Sequence, residues 1–83
     1  MKFKKKPVEI DAEQWLGSKE SFDKIMMLGL KKWKPGDMGS NTFFIETLEG
    51  DMQVKLEDWV IKGIKGEFYP RKPDIFELTY DNE

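Results

Sequence analysis

Val8, Ile10 and Ala12 are apolar, and Glu9 and Asp11 between them are acidic. A period of two predicts a half-buried strand over 8–15. Trp15 breaks the alternation at its end or marks a bulge, and Gly17-Ser18 punctuates the chain. The period then changes. Phe22, Ile25, Met26 and Gly29 fall at i, i+3, i+4 and i+7, one stripe of a helix. Ser18 suits the N-cap, and Glu20 sits where the helix dipole favours an acid. Lys31, Lys32 and Lys34 crowd the far end, where cations are favoured, and Pro35-Gly36-Asp37 stops the element. A helix is predicted over 19–30.

After a loop at Met38-Gly39-Ser40-Asn41, residues 42–48 are β-branched and aromatic and read as a strand. Glu49-Gly50-Asp51 is a tight turn. Met52, Val54 and Leu56 alternate with Gln53 and Lys55 as the return strand of a hairpin. Glu57-Asp58 makes a second turn, and residues 59–64 form another strand. Lys65-Gly66 is a two-residue turn into Glu67-Phe68-Tyr69, and Pro70 and Pro73 then interrupt any central strand. Residues 74–80 admit two readings. Phe76, Leu78 and Tyr80 alternate as a strand would, whereas Asp74 behind Pro73 equally opens a helical turn. The last three residues are expected to fray. The whole predicts a small α+β domain, an antiparallel sheet of about four to five strands covered by one helix. Its order is β-α-β-β-β with a short closing element. A single domain is expected over 1–83, with 1–6 a basic N-terminal segment.

Composition narrows the chemistry. With 83 residues there is room for one thin-cored domain, burying roughly 60% of its unfolded surface. Aromatic residues at 13% supply enough apolar surface to exclude intrinsic disorder. The chain has no His and no Cys. That excludes Ser-His and Cys-His nucleophile pairs, ordinary zinc sites and disulfides. Net charge is -2, too small for a strong overall field. Residues 1–34 carry nine Lys against five acids (+4), and residues 35–83 five Lys/Arg against eleven acids (-6). No run approaches the ~20 apolar residues of a membrane helix. The basic start has no apolar stretch behind it, unlike a signal peptide.

Three segments carry a resemblance. They are Thr47-Leu48-Glu49-Gly50-Asp51-Met52, residues 58–70 (Asp58-Trp59-Val60-Ile61-Lys62-Gly63-Ile64-Lys65-Gly66-Glu67-Phe68-Tyr69-Pro70), and Lys72-Pro73-Asp74-Ile75-Phe76-Glu77. This text resembles a family of small proteins encoded by tailed bacteriophages and prophages. Lys5-Lys6-Pro7-Val8 and Gln14-Trp15 are similar to the front of the same family. The family often has Gly-Asp where this chain has Glu57-Asp58, and Cys where it has Arg71. The resemblance implies a setting in the cytoplasm of an infected or lysogenic bacterium, and no particular activity.

Neither catalytic nor metal-binding residues are assigned, no cofactor is expected, and an enzyme is not expected. Glu9, Asp11 and Glu13 line one strand face, which reads as solvated. Glu49, Asp51, Glu57 and Asp58 lack the spacing of a calcium loop, and turns favour such residues for backbone reasons. The favoured candidate is a partner-binding set of Trp59, Tyr69, Arg71, Lys72 and Asp74, because Trp, Tyr and Arg anchor interfaces. The segment 69–73 is expected to be exposed, and rigid Pro-bracketed loops bind with less ordering cost. The expected partner is a host or phage protein, consistent with host takeover or defence interference. An edge strand here could also pair with a second copy, giving a homodimer. The alternative is nucleic acid or a nucleotide second messenger. Lys31, Lys32, Trp33 and Lys34, with Lys4, Lys5 and Lys6, would hold its phosphates and stack its bases.

Overall fold

Ser18 starts the helix as its sequence position predicts. Its Oγ accepts from the Ser21 N–H at 3.1 Å, and Ser21 Oγ accepts from the Ser18 N–H at 3.3 Å. This reciprocal capping box, built on a buried serine rather than Glu or Gln, opens α1 (Lys19–Met26). The helix stops four residues short of the predicted end. Leu28 and Gly29 donate to carbonyls three residues back, and Gly29 takes φ +104°. Gly29 therefore ends the helix instead of extending its stripe.

In the computed structural model, residues 2–5, 8–79 and 81–82 are described, with side chains over 10–78. Two strands precede α1: β1 (Lys2–Lys5) and β2 (Val8–Gln14). After it come β3 (Trp33–Pro35), β4 (Phe43–Thr47), β5 (Gly50–Val54), β6 (Trp59–Lys62) and β7 (Phe68–Arg71). The chain continues into α2 (Pro73–Thr79) and β8 (Asp81–Asn82).

The α+β class is as predicted, but one sheet becomes two. A five-stranded antiparallel sheet has the order β7-β6-β2-β1-β8, and a three-stranded one has the order β3-β4-β5. The basic start is no tail over 2–5, since β1 pairs with β2 and places Phe3 opposite Ile10. Nor is the end a free tail, since Asn82 pairs with Phe3. Lys6, Pro7, Tyr80 and Glu83 lie outside the described residues. Trp33–Pro35, expected as the basic end of the helix and its stop, is a strand against β4.

Registers sort the core into two clusters. Ala12 lies opposite Ile61, and Ile61 opposite Tyr69. Ile10, Ala12 and Ile61 form a buried cluster closed by Phe76 of α2. Residues 74–79 are thus helical, because Phe76 is needed as a lid on that face. Val60, one residue out of phase, faces the opposite side, with Ile25, Phe43, Ile45 and Val54. The larger sheet therefore carries α2 on one face, with α1 and the smaller sheet on the other. An aromatic group fills the second layer, with Trp15 edge-on to Phe43 at 5.2 Å and Phe22 edge-on to Trp33 at 4.9 Å. Trp15 Nε1–H donates to the Asn41 carbonyl at 2.6 Å.

Pro70 lies inside β7, where the sequence placed a break. An edge strand tolerates it. Gly63 N–H donates to the Glu67 carbonyl at 2.8 Å. Bonded and non-bonded pairs alternate along the hairpin, so the Pro70 nitrogen points away from β6. The outer edge then lacks a donor at Pro70, which disfavours strand pairing with a second copy.

Candidate functional site

The turn between β5 and β6 begins at Lys55, whose carbonyl accepts from the Asp58 N–H at 3.0 Å. Glu57 at its third position has φ +75°, a value that fits a type II turn, where glycine is preferred. The Asp58 carboxylate is buried under the turn and accepts from the Lys55 N–H at 3.0 Å. Trp15 ties the turn to the end of β2. Its carbonyl accepts from the Glu57 N–H at 2.7 Å, and its N–H donates to the Asp58 carbonyl at 2.9 Å. Gln14 adds a side-chain bond to the Glu57 carbonyl at 2.9 Å. Lys55 therefore leaves a turn fixed at several points.

Across from it runs β7. Arg71 Cζ sits 5.5 Å from the centre of the Tyr69 ring, a cation–π contact that orients the guanidinium. Between turn and strand is a cleft of about 290 Å³ lined by Gln53, Lys55, Asp58, Pro70, Arg71 and Lys72. Lys55, Arg71 and Lys72 are exposed, and among the described residues none of them has a salt-bridge partner.

The predicted partner-binding residues divide between this cleft and the core. Arg71 and Lys72 line the cleft. Tyr69 is half-buried against the Ile10–Ile61–Phe76 cluster and acts as the support under Arg71. Trp59 is half-buried too, stacked on Phe76 at 4.4 Å with the rings 10° apart. The expectation of an exposed 69–73 segment holds only for Arg71 and Lys72, since Tyr69, Pro70 and Pro73 are half-buried. Asp74 is exposed in the first turn of α2. Gln53, Lys55 and Asp58 were not singled out for binding in the sequence. The alternation of Gln53 and Lys55 announces outward-facing positions and Asp58 reads as a turn residue, which says nothing about the strand they face.

The basic-aromatic set is dispersed. Trp33 is half-buried among aromatic rings, and Lys34 Nζ lies 3.1 Å from Asp51 Oδ2. The hydrogen bond to Asp51, then the Asp51 and Glu46 charges, raise the Lys34 pKa above 10.5. Lys31 and Lys32 are exposed.

A larger open groove of about 550 Å³ runs between α1 and the sheet, lined by Asp11, Glu13, Lys24, Met27, Leu28 and Lys62. Its two carboxylates and two ammonium groups leave no net charge. Among the described residues no three acidic side chains gather as a cation site, and no helix is long and apolar enough to cross a membrane. Comparison with protein-family models, curated proteins and solved structures returns no match.

Proposed function

We propose that this chain is a non-enzymatic, phage-encoded binding protein that acts in the bacterial cytoplasm. It engages a host or phage protein through the cleft between the 55–58 turn and β7. The observation that carries this reading is one cleft lined by three exposed basic residues, Lys55 from the turn and Arg71 and Lys72 from the end of β7, beside a turn that is hydrogen-bonded into place. A preorganised site of this kind loses little side-chain freedom on binding. The phage setting, and with it a role in host takeover or defence interference, rests on the resemblance of residues 47–77.

The test is native mass spectrometry of the tagged chain drawn gently from lysate of its bacterial host, beside an Arg71→Glu variant. A discrete protein mass on the wild type that is lost from the variant is the expected result. An added mass of nucleotide size, lost in the same variant, would replace this reading with nucleotide sequestration.

A further inference from the structure

Four strands form sheet edges, β7 and β8 in the larger sheet and β3 and β5 in the smaller. Three of them carry a feature that guards an edge against further pairing, a proline, a cation or a short length. β3 has Lys34 and Pro35, β7 has Pro70 and Arg71, and β8 is two residues long. β5, Gly-Asp-Met-Gln-Val, has neither proline nor lysine. Its one charge, Asp51, is paired with Lys34.

The pairing fixes which backbone groups this edge presents. Glu46 N–H donates to the Lys32 carbonyl at 3.0 Å and Gly36 N–H to the Thr42 carbonyl at 3.1 Å, so the even-numbered residues of β4 bond towards β3. The odd-numbered ones, Phe43, Ile45 and Thr47, therefore bond to Val54, Met52 and Gly50. Asp51 and Gln53 are left with N–H and C=O turned away from β4. Both residues are exposed, and among the described residues none of these four groups has a hydrogen-bond partner. The next outward N–H, that of Lys55, is taken by the Asp58 carboxylate at 3.0 Å and closes the edge.

Such an edge is completed by an extended strand, and β5 is complementary to itself. In an antiparallel pair about a two-fold axis, one register engages all four outward groups. It sets Asp51 opposite the second copy's Gln53, with Met52 on the axis. The neighbouring registers set Asp51 against its own copy, or against Lys55, whose N–H is already taken. In the favoured register Glu49 comes opposite the second copy's Lys55, so opposite charges face each other at both ends. Val54, the buried end of β5, comes opposite Gly50, which has no side chain to place.

We infer that β5 pairs with β5 of a second copy, centred on Met52, and joins two three-stranded sheets into one continuous sheet. The contact is isologous and closes on itself as a dimer. Second-copy pairing thus belongs to β5 and not to β7, and it is independent of the cleft reading above.

Five residues a side make a small interface, so the dimer is weak and concentration-dependent. Sedimentation velocity of the full chain from about 10 µM to about 1 mM tests it. The mean mass should rise towards twice the monomer's. Lys55→Glu and Glu49→Lys should each weaken association about threefold or more, and Glu49→Lys/Lys55→Glu together should return it to within about twofold of wild type. Gln53→Pro deletes an outward donor without removing a bond to β4, and should weaken association about tenfold or more. Thermal melts confirm that each variant is folded. The chain has no Cys, so Met52→Cys supplies a single thiol. Directly opposed residues of a non-bonded antiparallel pair hold their Cα atoms about 4.5 Å apart, within disulfide reach. Met52→Cys should therefore oxidise to a covalent dimer about tenfold faster or more than Met38→Cys, an exposed position off the axis. A monomer at every concentration, a double variant that fails to recover, or equal oxidation rates would overturn the inference. A monomer whose partner mass in native mass spectrometry disappears with Gln53→Pro would give the edge to a foreign strand, and would overturn it too. Dependence of a partner mass on Arg71 reports on the cleft alone, so the two readings fail separately.

Discussion

Glu57 occupies a left-handed conformation, φ +75°, that costs a side-chain-bearing residue roughly 1–2 kcal/mol. Glycine there would avoid the clash but lose about 0.5–1 kcal/mol in unfolded-state freedom. Glu57→Gly should therefore raise stability by about 0.5–1 kcal/mol, read as a higher urea midpoint at unchanged slope. Two residues in β7 make the opposite contrast. Tyr69→Ala removes a ring packed on the Ile10–Ile61–Phe76 cluster, and should destabilise by about 2–4 kcal/mol. Arg71→Glu touches an exposed group and one cation–π contact, and should cost no more than about 1 kcal/mol. Denaturant titration of the pair separates support from contact. Equal losses would place Arg71 in the packing too.

At the scale of elements, β3 exists because β4 is there to receive it. Trp33, Lys34 and Pro35 pair with Ile45, Phe44 and Phe43, and Gly36 N–H then donates to the Thr42 carbonyl at 3.1 Å. A Cβ on Gly36 would be driven into the Thr42 backbone, which has no flexible end to yield. Gly36→Ala should lower stability by more than about 2 kcal/mol and weaken amide-exchange protection first in 33–47. The Lys34–Asp51 pair joins the two outer strands of the same sheet, β3 and β5. Its folded-state pKa is raised, so its contribution is present at neutral pH and below 10.5. That contribution is lost as the pH climbs through the higher folded value. Both groups are substantially exposed, so salt shrinks it. The stability gap between wild type and Lys34→Met should narrow at strongly alkaline pH, and a gap constant from neutral to alkaline pH would rule the pair out.

The whole molecule is arranged around the five-stranded sheet, which is covered on both faces. This explains which elements the chain's pattern announced. Strands 43–47, 50–54 and 59–62 alternate or are β-rich, the first two burying residues on one side and the third burying Val60 and Ile61 on opposite sides, so their local pattern already encodes them. Segments 2–5 and 33–35 are short and lysine-bearing, and they are strands only because a neighbouring strand supplies their hydrogen bonds. Residues 74–79 read equally well as helix or strand. The exposed apolar face of Ile61 and Ala12 decides it, since a helix can lay Phe76 across that face.

The candidate site divides in the same way. Arg71 and Lys72 were legible because Arg and Lys beside prolines stand out in the text. Lys55 and Gln53 were not, since nothing local says that the β5–β6 turn lies across from β7. The sequence by itself determined the α+β class, the capped helix start, the hairpins and the absence of His and Cys chemistry. These depend on neighbours within a few residues or on composition. Only the tertiary structure decided that there are two sheets, that Trp59 and Tyr69 belong to the packing, and that Lys55 and Gln53 line the same cleft as the end of β7. Those outcomes depend on strand order and register, which bring together residues far apart in the chain and are set by the burial of both sheet faces at once.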